Sequence, residues 1–319
     1  MQKIQMSVVI PVYNESQTIP EMSERLLKTC DSMGISYELI FVNDGSADNS
    51  LELLKQYSSV HSVIRYISFS RNFGHQNAVM AGIVHSVGET VVLIDGDLQD
   101  PPEVIPQLYA KYCEGYKVVY AKRAQRQGET AFKKLTARLF YKFMKKITSF
   151  NIPVDTGDFR LISREIADHL INMNEGSKFL RGQIAWLGFK QTGVEFTRQE
   201  RKAGKTKYSL SKMMKLALDG ITSFSNFPLK IATFLGFIFS FIAFLIILYA
   251  LYSKFVLHEV VTGWTSLMIS SMFIGGVQLL CIGIIGEYIS RISTDVKKRP
   301  PFIVEETNCA KKQEPITKD

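Results

Sequence analysis

VVLIDGDLQDPPE, residues 91–103, is the stretch on which the reading of this chain turns. A run of apolar residues ends in Asp95, Asp97 and Asp100 with one glycine, and two prolines stop whatever came before. An ionised carboxylate is costly to bring near an apolar interior unless a cation meets it. The stretch therefore reads as a buried strand that opens on a site for a cation and for whatever that cation holds.

Outward from this stretch the pattern alternates. Apolar, β-branched runs predict strands over 6–12, 37–43, 63–68, 89–95 and 117–121. Helical periodicity between them predicts helices over 18–33, 48–57 with Asp48 as N-cap, 75–87 and 102–114. Strands alternating with helices imply an α/β fold, a mostly parallel sheet covered by helices on both faces. In such sheets ligands bind beyond the carboxyl ends of the strands. Three polar clusters fall on that edge: Tyr13-Asn14-Glu15, Asn43-Asp44-Gly45-Ser46 and Asp95-Gly96-Asp97. Asn14 and Glu15 could instead cap a helix, and Asp44-Gly45-Ser46 could be only a turn. A basic amphipathic helix over 129–148 fits packing on the sheet.

Two aspartates flanking one residue at a strand end can offer oxygens to one divalent ion. Mg2+ and Mn2+ prefer oxygen, and Mg2+ is commonly shared between carboxylates and substrate phosphates. No His or Cys lies near the motif in sequence, so zinc is not expected. The five histidines are scattered and suggest no metal cluster. Cys30, Cys113, Cys281 and Cys309 lack metal-ligand or redox spacing, which points to reduced thiols and a cytosolic main domain.

The chain has 319 residues, 46% hydrophobic, with a net charge of +8. That balance favours an anionic partner such as a phospholipid or a phosphorylated substrate. The N-terminus does not read as a signal peptide, because its apolar run soon meets Pro11, Asn14 and Glu15. Residues 231–253 and 260–286 carry no charge. As helices they would span about 34 and 40 Å at ~1.5 Å per residue, against a hydrocarbon core of about 30 Å. They read as a transmembrane hairpin, with Trp264 and Tyr288 near the ends of its second span. Residues 198–215 hold seven Lys/Arg and 291–299 hold four, whereas the connecting loop 254–259 holds one. The positive-inside bias places both ends of the hairpin, and the large N-terminal domain, in the cytoplasm. The stretch 209–227 is amphipathic and reads as a helix in the membrane interface.

SVVIPVYNE, VNDGS, SFSRNFGHQNAVMAGI, LIDGDLQDPPE and RKAGKTKYS, in this order, resemble family 2 glycosyltransferases of GT-A fold. The likeness is narrowest to the polyprenyl-phosphate sugar transferases, among them bactoprenol glucosyltransferases and dolichol-phosphate mannose synthases. It runs from about residue 6 to 305. It implies a Rossmann-like catalytic domain over 1–208, an interfacial region over 209–228, a hairpin over 229–290 with spans at 231–253 and 262–286, and a tail over 291–319.

The resemblance implies that Pro11, Tyr13, Glu15, Val42 and Asp44 hold the nucleoside. Asp95, Gly96, Asp97 and Gln99 would hold the diphosphate. Asp95, Asp97 and Gln99 would ligate Mg2+ or Mn2+, Asp97 most directly. Arg123 would meet donor phosphates, and Arg201 and Lys207 the acceptor phosphate, although these last two could be lipid-surface charges alone. Asp158 belongs where the acceptor side is expected, though it could merely cap or pair with Arg160. Gly96 departs from the Ala usual in the dolichol enzymes, and Lys205-Thr206-Lys207 from a Ser before the lysine. The implied reaction is inverting transfer of a sugar, glucose by the closer likeness, from UDP-glucose to undecaprenyl phosphate in the plasma membrane. GDP-mannose or another UDP-sugar is the alternative donor, and an inactive membrane scaffold the non-enzymatic one. No nucleic-acid partner is expected, and a homo-oligomer rests on family likeness alone.

Overall fold

The computed structural model describes residues 3–123, 156–173, 175–176, 178–197, 227–252 and 263–309. The expected basic helix over 129–148, nearly all of the stretch 209–227, Arg201 and Lys207 lie outside the described residues.

The first half alternates as the pattern predicts. β1 (Met6–Val12), β2 (Tyr37–Asn43), β3 (Ile64–Phe69) and β4 (Thr90–Leu93) pair in parallel, with β1 central between β4 and β2. β1 and β2 are buried along their whole length, as strands covered on both faces must be, which is why they read as continuous apolar runs. α1 (Ile19–Asp31), α2 (Ser50–Val60), α3 (His75–His85) and α4 (Ile105–Cys113) connect these strands and the next. Pro20 and Pro106 stand in the first turns of α1 and α4, where a missing N–H costs no helical bond.

The order across the eight-stranded sheet is β7-β5-β6-β4-β1-β2-β3-β8. β5 (Val118–Arg123) and β7 (Gln191–Phe196) are parallel, while β6 (Thr156–Ser163) runs antiparallel between β4 and β5. Four of the seven pairings are parallel, so the sheet is mostly parallel. α5 (Arg164–Asn172) and α6 (Leu180–Trp186) lie between β6 and β7. One face packs Met22, Leu26, Leu54 and Leu108 on Val8, Ile10, Leu39 and Val92. The other packs Ala78, Val79, Ile83, Ile166 and Leu170 on Val9, Ile40 and Val91.

Several boundaries shift from expectation. The fourth strand is Thr90–Leu93 rather than 89–95, because the backbone leaves the sheet before the aspartates. The fifth is Val118–Arg123 rather than 117–121. Asp48 does not cap α2. Asn49 holds that position, and Asp48 instead accepts from Ser16 N at 3.1 Å and Ser50 Oγ at 2.5 Å, tying the loop after β2 to the loop after β1. β8 (Val304–Thr307) was not foreseen. It follows the second apolar helix and pairs antiparallel with β3, with Phe302 stacked on Phe69 at 5.1 Å.

The chain divides into two units, Met1–Tyr208 with Arg299–Asp319, and Ser209–Lys298. The second holds α7 (Phe227–Tyr252) and α8 (Trp264–Val296). Both are long and apolar enough to cross a membrane, and most of their large apolar side chains are exposed. They touch through Phe239 and Phe273, whose rings meet edge-on at 5.3 Å.

Candidate active site

The ends of β1, β2 and β4 converge as expected, and the loops beyond them are stitched together. Asp44 N donates to Val12 O at 2.9 Å. Asn14 sits at φ 55°, a left-handed conformation that Asn tolerates. Its N–H donates to Ser46 Oγ at 2.9 Å, and its Oδ1 accepts from Ala47 N at 2.8 Å. The Thr18 hydroxyl donates to Gly96 O at 2.9 Å, joining the loop after β1 to the aspartate turn after β4. Pro11 is accommodated in a central strand for a simple reason. Val9 O accepts from Ile94 N at 3.1 Å; two residues on, the proline points the same way, past the end of β4, where no ladder bond is lost.

The aspartate turn itself is strained. Leu98 adopts φ 60° with its side chain 2% exposed, a conformation disfavoured for a bulky residue and found most often at functional turns. The turn is held by Gln99 N, which donates to Asp97 Oδ1 at 3.1 Å, and by Leu98 in the core. Gly96 is tighter than its small departure from Ala suggests: a Cβ there would lie 3.0 Å from Val12 Cγ1 and 3.1 Å from Pro11 O.

Beside Asp95 stands a histidine, contrary to the expectation that none lies near. His75 Nε2 donates to Asp95 Oδ1 at 2.9 Å, and its Nδ1 lies 3.8 Å from Asp158 Oδ2. Ligand atoms of His75, Asp95 and Asp158 lie within 4.8 Å of one another, so one of the scattered histidines does join two carboxylates in a group close enough to hold a metal ion. The cause is topological: the turn from β3 into α3 delivers His75 to the same sheet edge as the end of β4. Burial pulls the imidazole pKa down, but the hydrogen bond and charge of Asp95, then the charge of Asp158, outweigh it and raise it to about 9.

Asp158, on β6, pairs with Arg181 of α6 rather than with Arg160. Arg181 Nε donates to its Oδ1 at 2.6 Å, and Gln76 Nε2 to its Oδ2 at 3.4 Å. Burial alone would raise its pKa, but Arg181, His75 and Arg160 hold the carboxyl well below the usual range. Arg160 is buried and donates to the backbone oxygens of Gly157 and Asp158. Asp44 is buried and accepts from Phe73 N at 2.7 Å and from Gly74 N at 3.0 Å. Burial raises its pKa against those two N–H donors.

Of the other expected residues, Pro11 and Val42 are buried register partners, and Tyr13 is 39% exposed. Glu15 Oε2 lies 3.2 Å from Thr18 Oγ1. Arg123 ends β5, at the same sheet edge. His75, Gln76 and Arg181 were missed. The first two lie inside the quoted stretch SFSRNFGHQNAVMAGI, where a histidine at the first helical position was a signal available but unused. Arg181 carries no local signal. The donor set at the turn, two partly exposed carboxylates and one amide, is hard and oxygen-rich, which fits Mg2+ or Mn2+.

The description "Glycosyl transferase family 2" matches residues 7–171, half of the chain. The chain belongs to glycosyl transferase family 2. A second description, "GtrB C-terminal hairpin", matches residues 227–292 of this family 2 transferase, and with the two exposed apolar helices it assigns the protein to a membrane. The transferase is 48% identical to "Uncharacterized glycosyltransferase YkcC" of Bacillus subtilis, over 95% of this chain and 94% of that one. It is 38% identical to "Prophage bactoprenol glucosyl transferase homolog" of Escherichia coli, over 94% and 98%. It is 39% identical to "SfII prophage-derived bactoprenol glucosyl transferase" of Shigella flexneri, over 96% and 99%. A solved structure of glucosyl-3-phosphoglycerate synthase from Mycobacterium tuberculosis overlaps it at a TM-score of 0.45 and 21% identity, over 69% of this chain and 76% of that one.

Proposed function

We propose that this family 2 transferase moves glucose from UDP-glucose to a polyprenyl phosphate, with inversion at the anomeric carbon. One observation carries the reading: relatives named bactoprenol glucosyl transferase match through both the sheet and the apolar hairpin, at 38–39% identity. The strand-end site supplies the donor half of the chemistry, and the hairpin keeps the enzyme where a lipid acceptor resides. The basic segments 198–215 and 291–299 face the cytoplasm in this reading, with Arg201 and Lys207 toward the acceptor phosphate.

Asp95, Asp97 and Gln99 would hold Mg2+ or Mn2+, which when bound supplies positive charge against the donor diphosphate. Pro11, Tyr13, Glu15, Val42 and Asp44 border the nucleoside, with Asp44 bracing the turn before α3 rather than presenting a free carboxylate. An acceptor phosphate oxygen attacks the anomeric carbon, the bond to the diphosphate breaks, and the nucleoside diphosphate leaves with the electron pair. A phosphate monoester has its second pKa near about 6 and is largely dianionic at neutral pH, so no strong base is needed. Asp158, already held low by Arg181, is suited to orienting groups and not to taking a proton.

A donor panel against undecaprenyl phosphate with Mg2+ or Mn2+ tests the reading. UDP-glucose should be the preferred donor, and proton NMR of the product should show a β-linkage. Preference for GDP-mannose, or an α-linked product, would refute it.

A further inference from the structure

We propose that His75 is a positioning residue that locks the donor-side carboxylate Asp95 and the acceptor-side carboxylate Asp158 into one frame, an inference that rests on the functional reading above. The imidazole stands between them, with Nε2 at 2.9 Å from Asp95 Oδ1 and Nδ1 at 3.8 Å from Asp158 Oδ2. The neighbouring Gln76 completes the frame. Its Nε2 reaches Asp158 Oδ2 at 3.4 Å, and its Oε1 accepts from Leu180 N at 3.2 Å, next to the Arg181 that grips the other oxygen of Asp158. The turn that presents His75 is anchored from β2, because the buried Asp44 carboxylate binds Phe73 N and Gly74 N. Gly74, at φ 98°, supplies the backbone reversal at the helix start.

The imidazole itself reaches Asp95 and Asp158, and β2 and α6 join the frame indirectly, through the backbone before His75 and through Gln76 and Asp158. Two carboxylates whose nearest oxygens lie within 4.8 Å would repel if nothing stood between them. With His75 in place, one oxygen of Asp95 is engaged and its carboxylate has one orientation. Outer partners of this kind set the geometry of a metal-holding carboxylate, and their loss typically costs about 10–100-fold in metal affinity or activity.

The two ring nitrogens can be separated by substitution in the full-length protein. The amide nitrogen of His75→Gln reaches about as far as Nε2 and should keep the contact to Asp95. That of His75→Asn reaches only as far as Nδ1 and should keep the contact toward Asp158. Mn2+ binding in the presence of UDP is read by electron paramagnetic resonance, and kcat and acceptor KM with undecaprenyl phosphate in nanodiscs. His75→Ala should weaken Mn2+ binding and lower kcat by about 10-fold or more. His75→Gln should recover Mn2+ binding but not the acceptor KM, and His75→Asn the reverse. Mn2+ binding and kcat within twofold of wild type in His75→Ala would overturn the proposal. So would equal losses in His75→Gln and His75→Asn in both readouts, which still decides the matter if the alanine variant does not fold. Absence of transfer by the wild type would instead refute the functional reading, while the Mn2+ and UDP measurements would still test the contact to Asp95.

Discussion

Asp97 sits in a turn whose backbone is already committed. Leu98 is fastened in the core at φ 60°, and Gln99 N ties back to the Asp97 carboxylate. Replacing Asp97 by Asn keeps size and an acceptor oxygen but removes the charge. The expected outcome is a folded protein that has lost about 10²–10³-fold in kcat, the usual consequence of deleting one preorganised electrostatic contact. Steady-state kinetics with Mn2+, beside a melting curve, check it, and full activity of the wild type in excess EDTA would remove the basis for the metal assignment. The same scale explains Asp158. Its carboxylate is gripped at 2.6 Å by Arg181, and this tertiary partner is the reason the proposed mechanism gives it an orienting role and not that of a base.

At the scale of elements, α3 is the piece that both braces the sheet and delivers the site. Its closeness to β1 depends on Gly82: a Cβ there would meet Val9 Cγ1 at 2.1 Å, and Val9 is fully buried. Gly82→Ala should therefore destabilise by about 1–3 kcal/mol, the range for overpacking a filled core, despite the better helix propensity of Ala. Thermal melting with and without Val9→Ala separates the two effects. The pair should be coupled, Gly82→Ala costing less once Val9 is shortened; an equal cost in both backgrounds would place the strain elsewhere. β8 acts at the far edge. It covers β3, which would otherwise expose a row of unpaired backbone groups, and adds the Phe302–Phe69 stack and the Lys55–Glu306 ion pair at 2.6 Å.

For the whole molecule, β8 changes what deletion of the hairpin means. The catalytic unit is built from Met1–Tyr208 and Arg299–Asp319, so the apolar hairpin is an insertion and not an appendage. Removing residues 229–319 strips a strand from the sheet. Removing 229–298 and joining the ends with a Gly/Ser linker retains it. The excised protein should bind UDP with Mn2+ as the full-length protein does, and melt above the truncated one. Both should lose transfer to a long acceptor in a bilayer far more than to a short soluble one, since tethering raises apparent affinity by roughly 10²–10⁴-fold. Equal rates on the bilayer acceptor before and after excision would show that the hairpin plays no part in acceptor delivery.

The alternating strands and helices, the polar ends of β1, β2 and β4, and the two apolar helices were legible in the amino-acid sequence, because each is written in contiguous residues. A buried parallel strand is an unbroken apolar run, and a membrane span is a longer one. The D-x-D turn was legible too, since three carboxylates after such a run have few structural uses. The pairings inside the site were not. His75 meets Asp95 across 20 residues and Arg181 meets Asp158 across 23, and neither separation has a period that propensity or spacing can register. Those contacts follow from how α3 and α6 pack on a sheet in which β6 is inserted antiparallel beside β4. The same holds for β8, whose short run Val304–Thr307 becomes a strand only because β3 offers an open edge. Local chemistry named the carboxylates; tertiary packing chose their partners, because a hydrogen bond depends on distance in space and not along the chain.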